Sequence, residues 1–258
     1  MAQFNSWCLS VDETVGTHFR RVMTGQAAQL LTGVQATAGI VPGHYASEEQ
    51  MGRALARLGK PAAAALIEGK LPTTPNIRSG DLGEIFATEW IDTHSSYRAP
   101  IKRLRWKDHR NMAMRGDDVI GILQDTQTRQ LHFLKTEAKS RGKLTARTLT
   151  DARAGLDSYG GLPSAHALSF ISARLIELDN LPLADAIDDA LLKQGIPLQN
   201  VRHLLFTFSG NAPDAMLNAS LQAYAGQVNQ WVVGLRVEGQ EAFIGAVYAQ
   251  VIANANNS

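Results

Sequence analysis

The chain of 258 residues carries one cysteine, Cys8, so neither a disulfide framework nor a cysteine-rich zinc site can be built from it. Charged residues are scarce at 19 %, below the roughly 25 % of ordinary soluble domains. That excludes a disordered polyelectrolyte and leaves a surface suited to a protein partner. No apolar run approaches the ~20 residues that span a bilayer. Residues 1–12 have neither the basic nor the apolar region of a secretion signal. A cytoplasmic protein with no membrane segment is expected, and a lone cysteine fits a reducing compartment. Internal repeats and low-complexity tracts are also missing. What is present is an apolar fraction of 45 %, enough for one large domain or a main domain with an appendage.

The net charge of +1 hides a division. Residues 98–153 hold 14 Lys and Arg against 6 Asp and Glu, whereas residues 177–258 hold 3 against 8. A molecule so polarised can bind polyphosphate on one face while staying near neutral overall. The plainer alternative is a solvated basic surface with no partner.

Periodicity predicts a helix over 46–58, with Ser47 and Gln50 as a capping box, and a second helix opened by Pro61. Residues 12–37 read as partly helical and 71–77 as a linker. The stretch 79–93 has apolar residues at helical spacing, with Asp81 or Ser79 as its cap. Two strands, 118–123 and 131–137, flank a polar turn and predict a hairpin. Helices follow over 145–159, 165–178 and 183–193. Residues 204–208 form a buried strand, and 231–237 with 242–247 read as a closing hairpin. The fold class is α/β, a mixed sheet flanked by helices, with a helical N-terminal region at 1–77 and the main domain at 78–258.

The chemistry concentrates in R-G-D-D-V-I-G-I-L, a turn, and L-H-F-L-K-T-E-A-K. A hairpin centred near Gln127 and Thr128 sets Asp118 opposite Glu137, because opposed residue numbers sum to a constant. Opposed residues share a sheet face, and so do Glu137 and Lys139, two apart on one strand. Two carboxylates and an ammonium then converge at the open end of the hairpin. Facing carboxylates repel unless one protonates or a cation lies between them. Oxygen ligands without cysteine or paired histidine suit Mg²⁺ or Mn²⁺, and the ammonium suits a phosphate, so phosphodiester hydrolysis is the fitting reaction. An E-x-K triplet alone decides little, since Glu68-Gly69-Lys70 repeats it at the end of an alanine-rich helix. Alternation turns Asp117 away from Glu137. His109 and His132 are more readily structural than catalytic, and Cys8 reads as a small buried apolar residue.

These residues resemble the restriction-endonuclease-like nuclease superfamily, whose PD-(D/E)-x-K core places G-x-D on one strand and E-x-K on the next. The matching positions are Gly116-Asp117-Asp118 and Glu137-Ala138-Lys139, without the proline of the family name. The superfamily often adds a carboxylate from the preceding helix, and Glu84 in Gly80-Asp81-Leu82-Gly83-Glu84 matches it. The segment 79–192 further resembles the HamA-like effector nucleases of Hachiman-type phage defence. That resemblance implies a restriction-endonuclease-like core, catalytic Glu84, Asp118, Glu137 and Lys139, and Mg²⁺ or Mn²⁺ on the three carboxylates. It also implies a DNase restrained by a superfamily-two ATP-dependent helicase partner. A catalytically silent DNA-binding or regulatory subunit and a Holliday-junction-type resolvase are the competing functions.

Around the core, Lys102, Arg103, Arg105, Lys107 and Arg110 surround Trp106. An aromatic among cations can stack on bases while the cations hold phosphates. Arg141 and Lys143, just past the E-x-K strand, extend the expected DNA-binding set.

Overall fold

The computed structural model describes residues 1–257. The chain opens with a hairpin, β1 (Cys8–Val15) and β2 (His18–Gly25). Its register sets Glu13 against Arg20 and Asp12 against Arg21, and both pairs form ion pairs, at 2.5 and 2.6 Å. The helical expectation for 12–37 therefore holds only from α1 (Leu30–Tyr45) onward. The first half is strand because β2 pairs with β1 on one side and with the distant β6 on the other, a tertiary pairing that overrides a poor local periodicity. Helices α2 (Glu48–Leu58) and α3 (Lys60–Lys70) follow, α2 carrying the expected Ser47–Gln50 capping box.

Helix α4 (Pro75–His94) starts earlier than the sequence suggests, because Pro75 takes its first turn. Asp81 is therefore no cap but a buried residue inside the helix. Strands β3 (Val119–Gln124) and β4 (Leu131–Arg141) form the expected antiparallel hairpin. Its turn is set by Asp125, whose carboxylate accepts the N–H groups of Gln127 and Thr128 at 2.9 and 2.7 Å, an Asx-type closure. Then come α5 (Ala146–Asp157), α6 (Ala165–Glu177), α7 (Leu181–Asp189), β5 (Val201–Ser209) and α8 (Asp214–Gln222). The chain ends with β6 (Asn229–Arg236) and α9 (Gln240–Asn257). The closing hairpin expected over 231–247 is thus a strand followed by a helix. Phe243, Val247 and Val251, with Ile244 and Tyr248, are buried at helical spacing, a period that a six-residue apolar run conceals.

The six strands form one mixed sheet in the order β1-β2-β6-β5-β4-β3, parallel from β2 to β4 and antiparallel at both ends. Helices α1, α3, α4 and α9 cover one face, where Phe86, Trp90, Phe206, Phe208 and Tyr248 form the largest core. Helices α5 to α8 cover the other in two adjoining clusters, α6 and α7 over β3 and β4, and α5 and α8 over β5, β6 and β2. The central strand β5 is buried along nearly its whole length, as a parallel strand covered on both faces must be.

One polar contact sits within the first core. His44 of α1 and Glu89 of α4 are hydrogen-bonded at 2.9 Å, and both are buried. Burial pushes the imidazole down to about 4, against the opposing pull of the Glu89 hydrogen bond. Its stabilising contribution is therefore full above the unfolded value near 6.5 and is lost as pH falls through 4. Thermal melts are expected to lose stability over that window, on the order of 3 kcal/mol by pH 4. In His44→Gln, which keeps a donor but does not titrate, that part of the slope disappears.

Candidate active site

The candidate carboxylates come from three elements that meet at one end of the sheet. On α4, Gly83 faces β4 so closely that a Cβ there would stand 3.2 Å from Ser140 Cβ. One turn earlier, Ser79 and Ser140 share a hydrogen bond of 2.7 Å. This close helix–strand seam fixes the next residue, Glu84, beside the start of β3. Glu84 is largely buried, with Oε2 3.2 Å from Arg103 Nε but outside hydrogen-bonding geometry, so both atoms lack a hydrogen-bond partner.

Asp118 immediately precedes β3. The hairpin register, Val119 opposite Thr136, continued by one residue sets Asp118 across from Glu137. Asp118 Oδ2 accepts the N–H of Ala138 at 2.8 Å, which pins the carboxylate to β4 next to Glu137. Asp117 is held by other partners, although its charge also bears on Glu137. Its Oδ2 accepts the N–H of Ser164 at the head of α6 at 2.7 Å, and its Oδ1 lies 3.6 Å from the ammonium of Lys135.

Glu137 projects toward α5. An added Cβ on Gly155 would fall 2.8 Å from Glu137 Oε2, so only glycine leaves that carboxylate room where it stands. Lys139 donates to Glu137 Oε1, and both side chains keep partial solvent access. Lys135, on the same face two residues before Glu137, is buried and donates to the carbonyl and hydroxyl of Ser158 at 2.8 and 3.2 Å.

Electrostatically these groups form one set. Burial pushes Glu84 up to about 8, opposed by Arg103 and reinforced by the charge of Asp118. Burial also raises Asp118, against the Ala138 hydrogen bond. Glu137 is raised by burial and then by Asp118, with Lys139 pulling it back. Asp118 thus links the other two, and all three carboxylates are hard to ionise together. The donor set is wholly oxygen, with a buried oxygen of Glu84 unpartnered, a chemistry that fits a hard divalent cation. Among the described residues no three His, Cys, Asp or Glu side chains stand ready to hold an ion as they are.

The HamA family model matches residues 34–251, most of the chain and the whole of this site. The chain belongs to the HamA family. A Bacillus cereus protein named "Hachiman protein HamA" is 28 % identical over 139 residues, which is 53 % of this chain and 48 % of that protein. The similarity therefore spans about half the length of that relative.

The basic segment of this HamA-family chain is largely engaged within the fold. Lys107 donates to both oxygens of Asp81 at 2.7 and 2.6 Å, and both side chains are buried. Lys102 is 3.5 Å from Glu89, and Arg103 faces Glu84. Arg105 donates to the Gly43 carbonyl at 2.9 Å, and Arg110 reaches the Glu68 carbonyl at 3.5 Å. Trp106 is half-buried, its indole N–H 3.2 Å from Glu177. Arg141, the last residue of β4, and Lys143 just past it are exposed, and Arg115, which sequence reasoning passed over, is also exposed. Among the described residues none of these three makes an ion pair.

His132 lies at the far end of β4 from Glu137, while His109 is exposed in the segment after Trp106. Glu68 and Lys70 close α3, away from the three carboxylates. Cys8 is buried, and burial pushes its thiol up to about 12. Sequence reasoning missed Lys135, Gly155 and the pairing of Arg103 with Glu84. Only Lys135 left a trace there, as a lysine in an apolar strand on the parity of Glu137 and Lys139.

Proposed function

We propose that this chain is a metal-dependent deoxyribonuclease and the effector component of a Hachiman-type defence system against phage. The observation that carries the reading is the placement of Asp118 between Glu84 and Glu137, with Lys139 on the Glu137 carboxylate. Three carboxylates raised by burial and mutual repulsion are the arrangement a divalent cation relieves. Glu84, Asp118 and Glu137 would hold Mg²⁺ or Mn²⁺, which when bound lowers the pKa of water and offsets charge on a phosphodiester. Asp118 is kept in place by the Ala138 N–H, and Glu137 by the backbone of α5 at Gly155. Lys139 supplies a positive charge beside the reacting phosphate. Arg103 offsets the negative charge of Glu84, and Arg141, Lys143 and Arg115 offer exposed cations for the flanking DNA backbone.

The membership of a Hachiman system rests on the family and on the name of the Bacillus cereus relative. Its helicase partner, of superfamily two, rests on the resemblance of the sequence. A helicase that holds DNA would raise the local substrate concentration for a chain whose overall charge is close to neutral. The test is incubation of the purified chain with plasmid, in Mg²⁺ and in EDTA, alone and with ATP and a superfamily-two helicase encoded beside it. Nicking or degradation that requires Mg²⁺ is the expected result. Intact plasmid under every condition would favour the silent regulatory subunit.

Gly155 gives a finer check. Gly155→Ala removes a weak helix former from α5, so the fold is expected to hold or gain slightly in thermal stability. The new methyl group displaces the Glu137 carboxylate, and Mn²⁺ affinity by calorimetric titration should fall by about tenfold or more. Unchanged affinity would show that the seat against α5 does not position Glu137.

A further inference from the structure

A cavity of about 470 Å³ opens beside Asp118, within the ~300–1,000 Å³ of sites that take small organic groups. The segment 101–114 forms one wall with Ile101, Trp106 and Met114, and α6 forms the other with Phe170 and Ile171. Asp118 and Arg103 lie in its lining, so the cavity is continuous with the site described above. Trp106 and Phe170 meet edge to face, with ring centroids 6.3 Å apart and planes at 89°. Trp106 is held by its bond to Glu177 and by the Arg174 guanidinium 5.8 Å from its ring centre. The aromatic pair is therefore a fixed platform, whereas Met112 and Met114 beside it are adaptable. At the exposed rim Arg115 supplies a cation and His109 and His166 supply imidazoles, against one exposed acid, Asp108.

We infer that this cavity receives a single unpaired nucleobase of DNA and so selects substrates with a base already out of the stack. The inference rests on the nuclease reading of the adjoining carboxylates. Apolar walls with two aromatic rings suit a flat heteroaromatic group, and every base has a face to stack. Arg115 and the imidazoles of His109 and His166 can donate to the phosphates that must follow it, and Asp118 and Arg103 lie where a phosphate attached to that nucleotide would come. A base still paired and stacked in a duplex cannot reach into this recess between α6 and the segment 101–114. A paired base would first have to be flipped, which requires unstacking and unpairing, and an unpaired one avoids most of that penalty.

The test uses the full chain in EDTA with one oligonucleotide duplex in two forms, blunt and carrying a single unpaired 2-aminopurine. Anisotropy of an end label reads affinity, and 2-aminopurine emission reports stacking. The unpaired form is expected to bind at least tenfold tighter, with its emission quenched. Phe170→Ala should remove that preference. Ala167→Met, which fills the cavity from α6 without deleting a side chain, should remove it too and covers the case in which the first variant does not fold. Equal affinity for the two duplexes, or a preference that survives in a folded cavity-filling variant, would overturn the inference. Plasmid cleavage in Mg²⁺ separates the two claims. Cleavage with no preference for the unpaired base leaves the nuclease standing without this pocket. A cavity-dependent preference without cleavage leaves the pocket standing without the nuclease.

Discussion

Glu137→Ala and Lys139→Ala are each expected to reduce DNA cleavage by on the order of 10²-fold or more while leaving the protein folded. Both side chains are only partly buried and touch each other, so removing either opens no large cavity in the core. Loss of Glu137 also removes one member of a repelling set, since burial and Asp118 raise its carboxyl. Melting temperature is therefore expected to stay level or rise in that variant. Glu68→Ala with Lys70→Ala is the control, because it removes the same residue types in the same spacing from the end of α3. Plasmid degradation in Mg²⁺, followed by gel, is the measurement. Equal loss in the control pair, or full activity without Lys139, would detach the E-x-K strand from the chemistry.

Much of the site's geometry was legible because a hairpin obeys simple arithmetic. A polar turn between two strand-like runs fixes the register, and the register fixes which carboxylates share a face. Asp125, through its own turn hydrogen bonds, places Gln124 opposite Leu131, and the position of Asp118 across from Glu137 follows. The ends of the chain were harder. In 12–25 and 242–252 the apolar residues fit more than one period over short windows, and packing decided between them. Strand β2 is held by its parallel partner β6, more than two hundred residues away, a pairing that no local pattern discloses. The same limit applied to the basic segment. Its charges could be counted, but which of them meet Asp81, Glu84 and Glu89 depends on α4 lying beneath it. Composition suggested a face for DNA, whereas the fold commits Lys102, Arg103 and Lys107 to buried carboxylates and leaves Arg115, Arg141 and Lys143 exposed.

The adjacent aspartates 117 and 118 are expected to separate into two measurable roles. Asp118→Asn should lose Mn²⁺ affinity by at least tenfold and cleavage with it, because it removes the carboxylate that links Glu84 to Glu137. It should not lower the melting temperature, since the amide oxygen can still accept the Ala138 N–H and one source of repulsion is gone. Asp117→Asn should behave in the opposite way. Its side-chain oxygen can still accept from Ser164, so α6 keeps its start, but the buried ammonium of Lys135 loses the only carboxylate paired with it among the described residues. Burial already pulls the pKa of Lys135 down, with Asp117 opposing, and without that charge the lysine is harder still to keep protonated. A stability loss on the order of 2 kcal/mol is expected, with Mn²⁺ affinity changed by less than about twofold. Calorimetric titration with Mn²⁺ and chemical denaturation of the same two proteins read the two axes separately. The reverse ranking would mean that the strand presents Asp117 to the metal site, one residue out of the register that the hairpin shows. A variant pair that falls together on both axes would mean that the two aspartates act as one unit, with Lys135 as part of the catalytic constellation rather than a support behind it.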